Sequence, residues 1–92
     1  MNAYCEFYIE SEKLLIHLEC YVGNGRHFSD FELSEENTQK LKNITKNNSN
    51  EELVKFLTKN YSLGNKIIDF VAENGLKYIV KAKGYEDTSS DV

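Results

Sequence analysis

Two neighbouring runs of strict two-residue alternation constrain this chain more than any other feature of its sequence. In the first, Ala3, Cys5, Phe7 and Ile9 alternate with Tyr4, Glu6, Tyr8 and Glu10. In the second, Leu14, Ile16, Leu18, Cys20 and Val22 alternate with Leu15, His17, Glu19 and Tyr21. A strand sends successive side chains to opposite faces, so this period predicts two half-buried strands. Only Ser11-Glu12-Lys13 lies between them, which suits an antiparallel hairpin. One face of that hairpin would be apolar, with Cys5, Phe7, Ile9, Leu14, Ile16, Leu18 and Val22. The other would carry tyrosines, glutamates and His17.

Gly23-Asn24-Gly25 follows, and Asn-Gly tolerates the positive φ of a type I′ turn, which predicts a third strand over Arg26 to Leu33. Ser34 is a suitable helix N-cap, with Glu35 and Glu36 placed to suit the positive end of the dipole. The helix it opens has only Leu41 and Ile44 to bury and breaks at Lys46-Asn47-Asn48. Ser49 and Glu52 form a capping box, and Leu53, Val54, Phe56, Leu57 and Tyr61 make one helical stripe that ends near Gly64. Residues 65–73 fit two patterns. Ile67, Ile68, Phe70 and Val71 could line a helix stopped by Gly75, or form a strand turning at Asn74-Gly75 into a further strand over 76–82. The hairpin is the favoured pattern, although it sends Asp69 inward. The expected fold class is α+β: an antiparallel sheet made of an N-terminal hairpin or three-stranded meander and a C-terminal hairpin, with one or two helices inserted between them. Residues 1–85 form the expected single domain, and 86–92 an acidic, disordered tail.

A chain of 92 residues can bury only about 60–65% of its unfolded surface. Its thin core leaves few apolar residues for a deep pocket, so a used surface is expected. No stretch approaches the ~20 apolar residues of a membrane span. Met1 to Glu6 contains no basic region leading into an apolar run, so no secretory signal is expected and the location should be cytoplasmic. The abundance of Asn and Lys fits an AT-rich genome, such as that of a low-GC bacterium or its phages.

Catalytic and metal chemistry find little support. Cys5 and Cys20 fall on the apolar face and His17 on the other, so no thiol has a base within reach. His17 and Cys20, three apart on a strand, point opposite ways and make no zinc pair. Gly23-Asn24-Gly25 lacks the Lys-Ser/Thr of a phosphate-binding loop. No catalytic residue, metal ligand or cofactor is therefore expected, and two reduced core cysteines are.

Charge supplies the functional expectation. Residues 1–36 carry a net −6, residues 37–85 a net +5, and the segment from Glu86 onward −3. Such segregation speaks of partners. Tyr4, Glu6, Tyr8, Glu10, His17, Glu19 and Tyr21 form the candidate partner-binding face, tyrosines for contact area and carboxylates to steer a basic protein surface. This predicts a small acidic inhibitor of a nucleic-acid-binding target, of the DNA-mimic, phage anti-defence or immunity type, acting by occlusion. Two alternatives remain. One is an accessory homodimeric subunit. The other is a nucleic-acid binder using Lys77, Lys81 and Lys83 on one side of the last strand. Direct nucleic-acid binding is disfavoured, because Arg26 is the sole arginine and the acidic half repels phosphate.

Overall fold

A computed structural model describes residues 2–87. The elements run β1 (Asn2–Glu10), β2 (Lys13–Val22), β3 (Gly25–Leu33), α1 (Glu35–Thr45), α2 (Asn50–Tyr61), α3 (Lys66–Glu73) and β4 (Tyr78–Asp87). The strands form one antiparallel sheet in the order β1-β2-β3-β4, so the three helices are a single insertion between its last two strands. The fold is α+β, as the patterning predicts.

The first hairpin has the expected register, with Glu10 paired to Lys13 and Tyr4 to Glu19. Ser11 and Glu12 both take positive φ, 50° and 65°, as a two-residue type I′ turn requires. The next turn differs from expectation. Val22 pairs with Gly25, so the turn residues are Gly23 and Asn24, and only Gly23 has positive φ. That is the type II′ pattern, in which glycine is needed at the first central position. Gly25 serves another purpose: the Tyr85 ring covers it, and a Cβ there would lie 2.3 Å from that ring.

The expected C-terminal hairpin is overturned. Residues 66–73 are α3, not a strand, and β4 pairs with β3 instead. Helical spacing puts Ile67 and Val71 together in the core and leaves Asp69 exposed, whereas a strand would have buried that carboxylate. Gly75 (φ 71°) then reverses the chain, while the Leu76 N–H donates to the Val71 carbonyl at 3.0 Å. Glu86 and Asp87, expected to begin the tail, belong to β4; residues 88–92 lie outside the described part.

Helix α1 also packs differently from expectation. Leu41 is fully buried, but Ile44 is 41% exposed, and Thr38 takes the inner position. Its hydroxyl accepts from the Leu14 N–H at 2.9 Å and donates to the Leu33 carbonyl at 3.5 Å, tying the helix to β2 and β3. Helix α2 follows its stripe, with Leu53 and Leu57 fully buried. Ser49 Oγ accepts from the Glu52 N–H, and the Glu52 carboxylate accepts from the Asn48 N–H. Ser49→Ala should therefore lower stability by about 1 kcal/mol, seen as a lower urea midpoint at unchanged slope.

The buried apolar side chains of the strands lie on one face of the sheet. Cys5, Phe7, Leu14, Ile16, Phe31 and Leu33 meet Leu41, Leu53, Leu57, Ile67, Val71 and Leu76 from the helical layer. Helices cover this face only in part, and Val22 at the far end of the hairpin stays 52% exposed. No helix among the described residues is long and apolar enough to cross a membrane.

Candidate functional site: the open face of the sheet

Register defines what the uncovered face contains. Side chains paired across strands share a face, and three rows result. Tyr4, Glu19, Phe28 and Gly84 form one; Glu6, His17, Asp30 and Ala82 the next; Tyr8, Leu15, Glu32 and Ile79 the third. Tyr21, Arg26 and Glu86 extend it at one end, and Glu10 with Lys13 at the other. All seven residues proposed from the sequence, Tyr4, Glu6, Tyr8, Glu10, His17, Glu19 and Tyr21, thus lie together on the face away from the helices. Tyr8 and Tyr21 are 47% and 39% exposed.

Glu19 organises this face. It is a buried carboxylate covered by other side chains of the open face, and four groups donate to it. Tyr4 Oη and Tyr21 Oη donate to Oε2. His17 Nε2 at 2.9 Å and Arg26 Nη1 at 2.6 Å donate to Oε1. Hydrogen bonds from His17 and Tyr4, with help from Tyr21 and the Arg26 charge, outweigh burial and hold the Glu19 carboxyl down to about 2. The same bond to Glu19, followed by that of Tyr21, raises the pKa of Tyr4. Both tyrosine rings are stacked, their centroids 6.2 Å apart.

His17 links this cluster to β3, because its Nδ1 faces Asp30 Oδ1 while Nε2 faces Glu19. Partial burial pulls its pKa down, but hydrogen bonds to Glu19 and Asp30 and their charges overcome this, and the net shift is upward. A ring with a carboxylate at each nitrogen favours imidazolium, in which both nitrogens donate. Phe28 lies between His17, 6.2 Å away by ring centroid, and the Arg26 guanidinium, 5.3 Å above its ring. Its ring occupies the space where a Cβ on Gly84 would be, 2.3 Å away. Arg26 also reaches Glu86 at 3.0 Å.

Beside this network lies a shallow depression of ≈ 400 Å³ lined by Glu6, Tyr8, Leu15, Ile16, His17, Asp30 and Lys81. Tyr8 Oη donates to Glu6 at 2.9 Å, fixing the ring at its rim. That bond, first among several causes, raises the Tyr8 pKa.

The charge of this face is more mixed than strand parity suggests. Arg26 and His17 compensate Glu19, His17 also serves Asp30, and Lys81 lies 3.8 Å from Glu32. Among the described residues, Glu6 and Glu10 have no ion pair, although Glu6 accepts from Tyr8 Oη. Arg26, Phe28, Asp30, Glu32 and Glu86 were absent from the sequence-derived set, and Lys81 was named there only for the nucleic-acid-binding alternative. The first four do alternate along β3, but His27 and Ser29 between them are also polar, which hides the period.

The lysine alternative fares less well geometrically. Phe31 pairs with Val80 and Asp30 with Ala82, so Lys81 is an extra residue in a β-bulge. The bulge reverses side-chain parity. Lys81 reaches Glu32 on the open face, Lys83 pairs with Ser29 on the helix-bearing face, and Lys77 precedes the strand. The three therefore do not share one side of β4, contrary to expectation.

Cysteine chemistry is separated from this face. Cys5 Sγ donates to the Gly64 carbonyl at 3.4 Å on the helix side, and burial pushes its pKa up to about 11. Among the described residues, no cluster of three or more His, Cys, Asp or Glu is arranged to hold a metal ion. Comparison with protein-family models, curated proteins and solved structures gives no match.

Proposed function

We propose that this chain is a cytoplasmic protein-binding module whose open sheet face docks on a basic protein surface, inhibiting a nucleic-acid-binding target by occlusion. One observation carries the reading: all three helices pack on one side, leaving an uncovered face with exposed tyrosines and, among the described residues, two glutamates that have no ion pair. A sheet face used only for folding would be expected to gain a covering layer or a purely polar surface. Here Tyr4 and Tyr21 are anchored by hydrogen bonds to Glu19, and Tyr8 by one to Glu6. Rings held in place lose little rotamer freedom on contact, and tyrosine is favoured where binding energy concentrates.

The test begins with affinity purification from the native cell on the immobilised chain, followed by binding measurements with the purified partner. Glu6→Lys/Glu10→Lys should weaken the complex at least about tenfold, chiefly by slowing association, with a shallower salt dependence than the unaltered protein. Both glutamates are exposed, so the variant should fold normally. Unchanged affinity in that folded variant would remove the open face from the contact. Glu19 is unsuitable for charge reversal, because its loss would disturb the whole network.

A further inference from the structure

We propose that two copies of this chain pair antiparallel along β4, joining their sheets into one eight-stranded sheet. The inference is independent of the partner proposed above. It starts from a difference between the two sheet edges. On β1 the outward backbone is engaged: the Cys5 N–H donates to the Ser62 carbonyl at 2.7 Å, and the Gly64 N–H donates to the Ala3 carbonyl at 2.8 Å. Leu63 thereby bridges to Tyr4 and closes that part of the edge. The outer edge of β4 has no backbone partner among the described residues. It runs ten residues, with Ile79, Val80 and Tyr85 exposed by 57%, 47% and 57%. Such an edge is a template for another strand.

The sequence of β4 specifies a second copy as that strand. Before the bulge, Tyr78 and Val80 lie on the helix-bearing face and Ile79 on the open face; after it, Lys83 and Tyr85 lie on the helix-bearing face and Ala82 and Gly84 on the open face. A twofold axis between Lys81 and Ala82 therefore matches faces throughout. It sets Tyr78 opposite Tyr85 of the second copy, Val80 opposite Lys83 and Ile79 opposite Gly84. Without the bulge this register would put each pair on opposite faces. Charge favours the same direction. Lys77 precedes the strand and Glu86 lies near its end, so antiparallel pairing brings them together, whereas parallel pairing would bring like to like. Lysines on an edge commonly oppose pairing, but Lys81 is directed toward Glu32 at 3.8 Å, and Lys83 can lay its aliphatic stem along Val80.

Light scattering of the full chain over a micromolar-to-millimolar series should show the mass rising from 10.6 kDa toward twice that value. Hydrogen exchange of the β4 amides should slow over the same range. Val80→Lys sets lysine against lysine across the axis at an already exposed position, and should weaken dimerisation at least about tenfold. Leu63→Lys, 79% exposed and on the opposite edge, should leave it unchanged. A single-chain mass at millimolar concentration overturns the proposal. So does a dimer indifferent to Val80→Lys, or one whose β4 amides exchange independently of concentration. None of these results bears on the test with Glu6 and Glu10, which lie on the other side of the sheet's width.

Discussion

Glu19→Gln should destabilise the protein by about 2–3 kcal/mol while removing a single negative charge, and should change how stability depends on pH. Glutamine keeps the shape but not the charge, and its NH2 group cannot accept. Tyr4, Tyr21, His17 and Arg26 all donate to this one carboxylate, so an amide leaves some of them without an acceptor. Hydrogen bonds to charged groups contribute more than neutral ones, but the network's outer members touch water, which moderates the loss.

The pH dependence has a definite sign. Glu19 titrates near 2 in the folded protein and near 4.5 when unfolded, so its contribution is present above about 4.5 and fades as pH falls toward 2. His17 is shifted upward from 6.5, so its contribution is present below 6.5 and fades as pH rises through the folded value. These two groups together favour the interval between about 4.5 and 6.5. In Glu19→Gln the acid-side decline should diminish, because the group responsible is gone. The alkaline-side decline should shrink too, because His17 loses one of its two carboxylates. Urea unfolding from pH 2 to 9 distinguishes these outcomes from a uniform loss. A variant with parallel, merely lower stability at every pH would show that the network does not set these protonation states.

The N-terminal hairpin was legible because its two faces differ so sharply in polarity. Alternation of Cys5, Phe7, Leu14 and Ile16 with Tyr4, Glu6, His17 and Glu19 assigns every side chain, and the register observed follows that parity. Residues 66–73 were harder, because Ile67, Ile68, Phe70 and Val71 suit either secondary structure. Asp69 counted against the favoured strand, because an inward-facing carboxylate is costly, and its exposure on α3 agrees with the helix. Thr38 could not have been identified from pattern alone, since its burial depends on reaching Leu14 and Leu33 across the fold. The same holds for the Glu19 network. Tyr4, His17 and Glu19 could be placed on one face, but Arg26 and Asp30 meet them only once β3 adds beside β2. The bulge at Lys81 was equally invisible, and it separated lysines that simple alternation had put together.

Leu57→Ala should be the most damaging of the substitutions considered, at about 2–5 kcal/mol, and yet leave partner affinity intact. Leu57 is fully buried on α2, within the cluster that joins the helical layer to the sheet. Truncation removes buried apolar surface and leaves a cavity whose neighbours come from several elements and can collapse only in part. A domain of this size has on the order of 5–14 kcal/mol of stability in total, so the loss should move the urea midpoint substantially. Nothing on the open face contacts this position, however, because the sheet lies between them. Affinity for the basic partner, corrected for the folded fraction, should therefore match that of the unaltered protein. The Glu6→Lys/Glu10→Lys variant should behave in the opposite manner, with normal stability and weakened binding, while Glu19→Gln should affect both. If Leu57→Ala weakened binding in a fully folded population, the helical layer would have to take part in the contact, and the division of labour between the two faces of the sheet would fail.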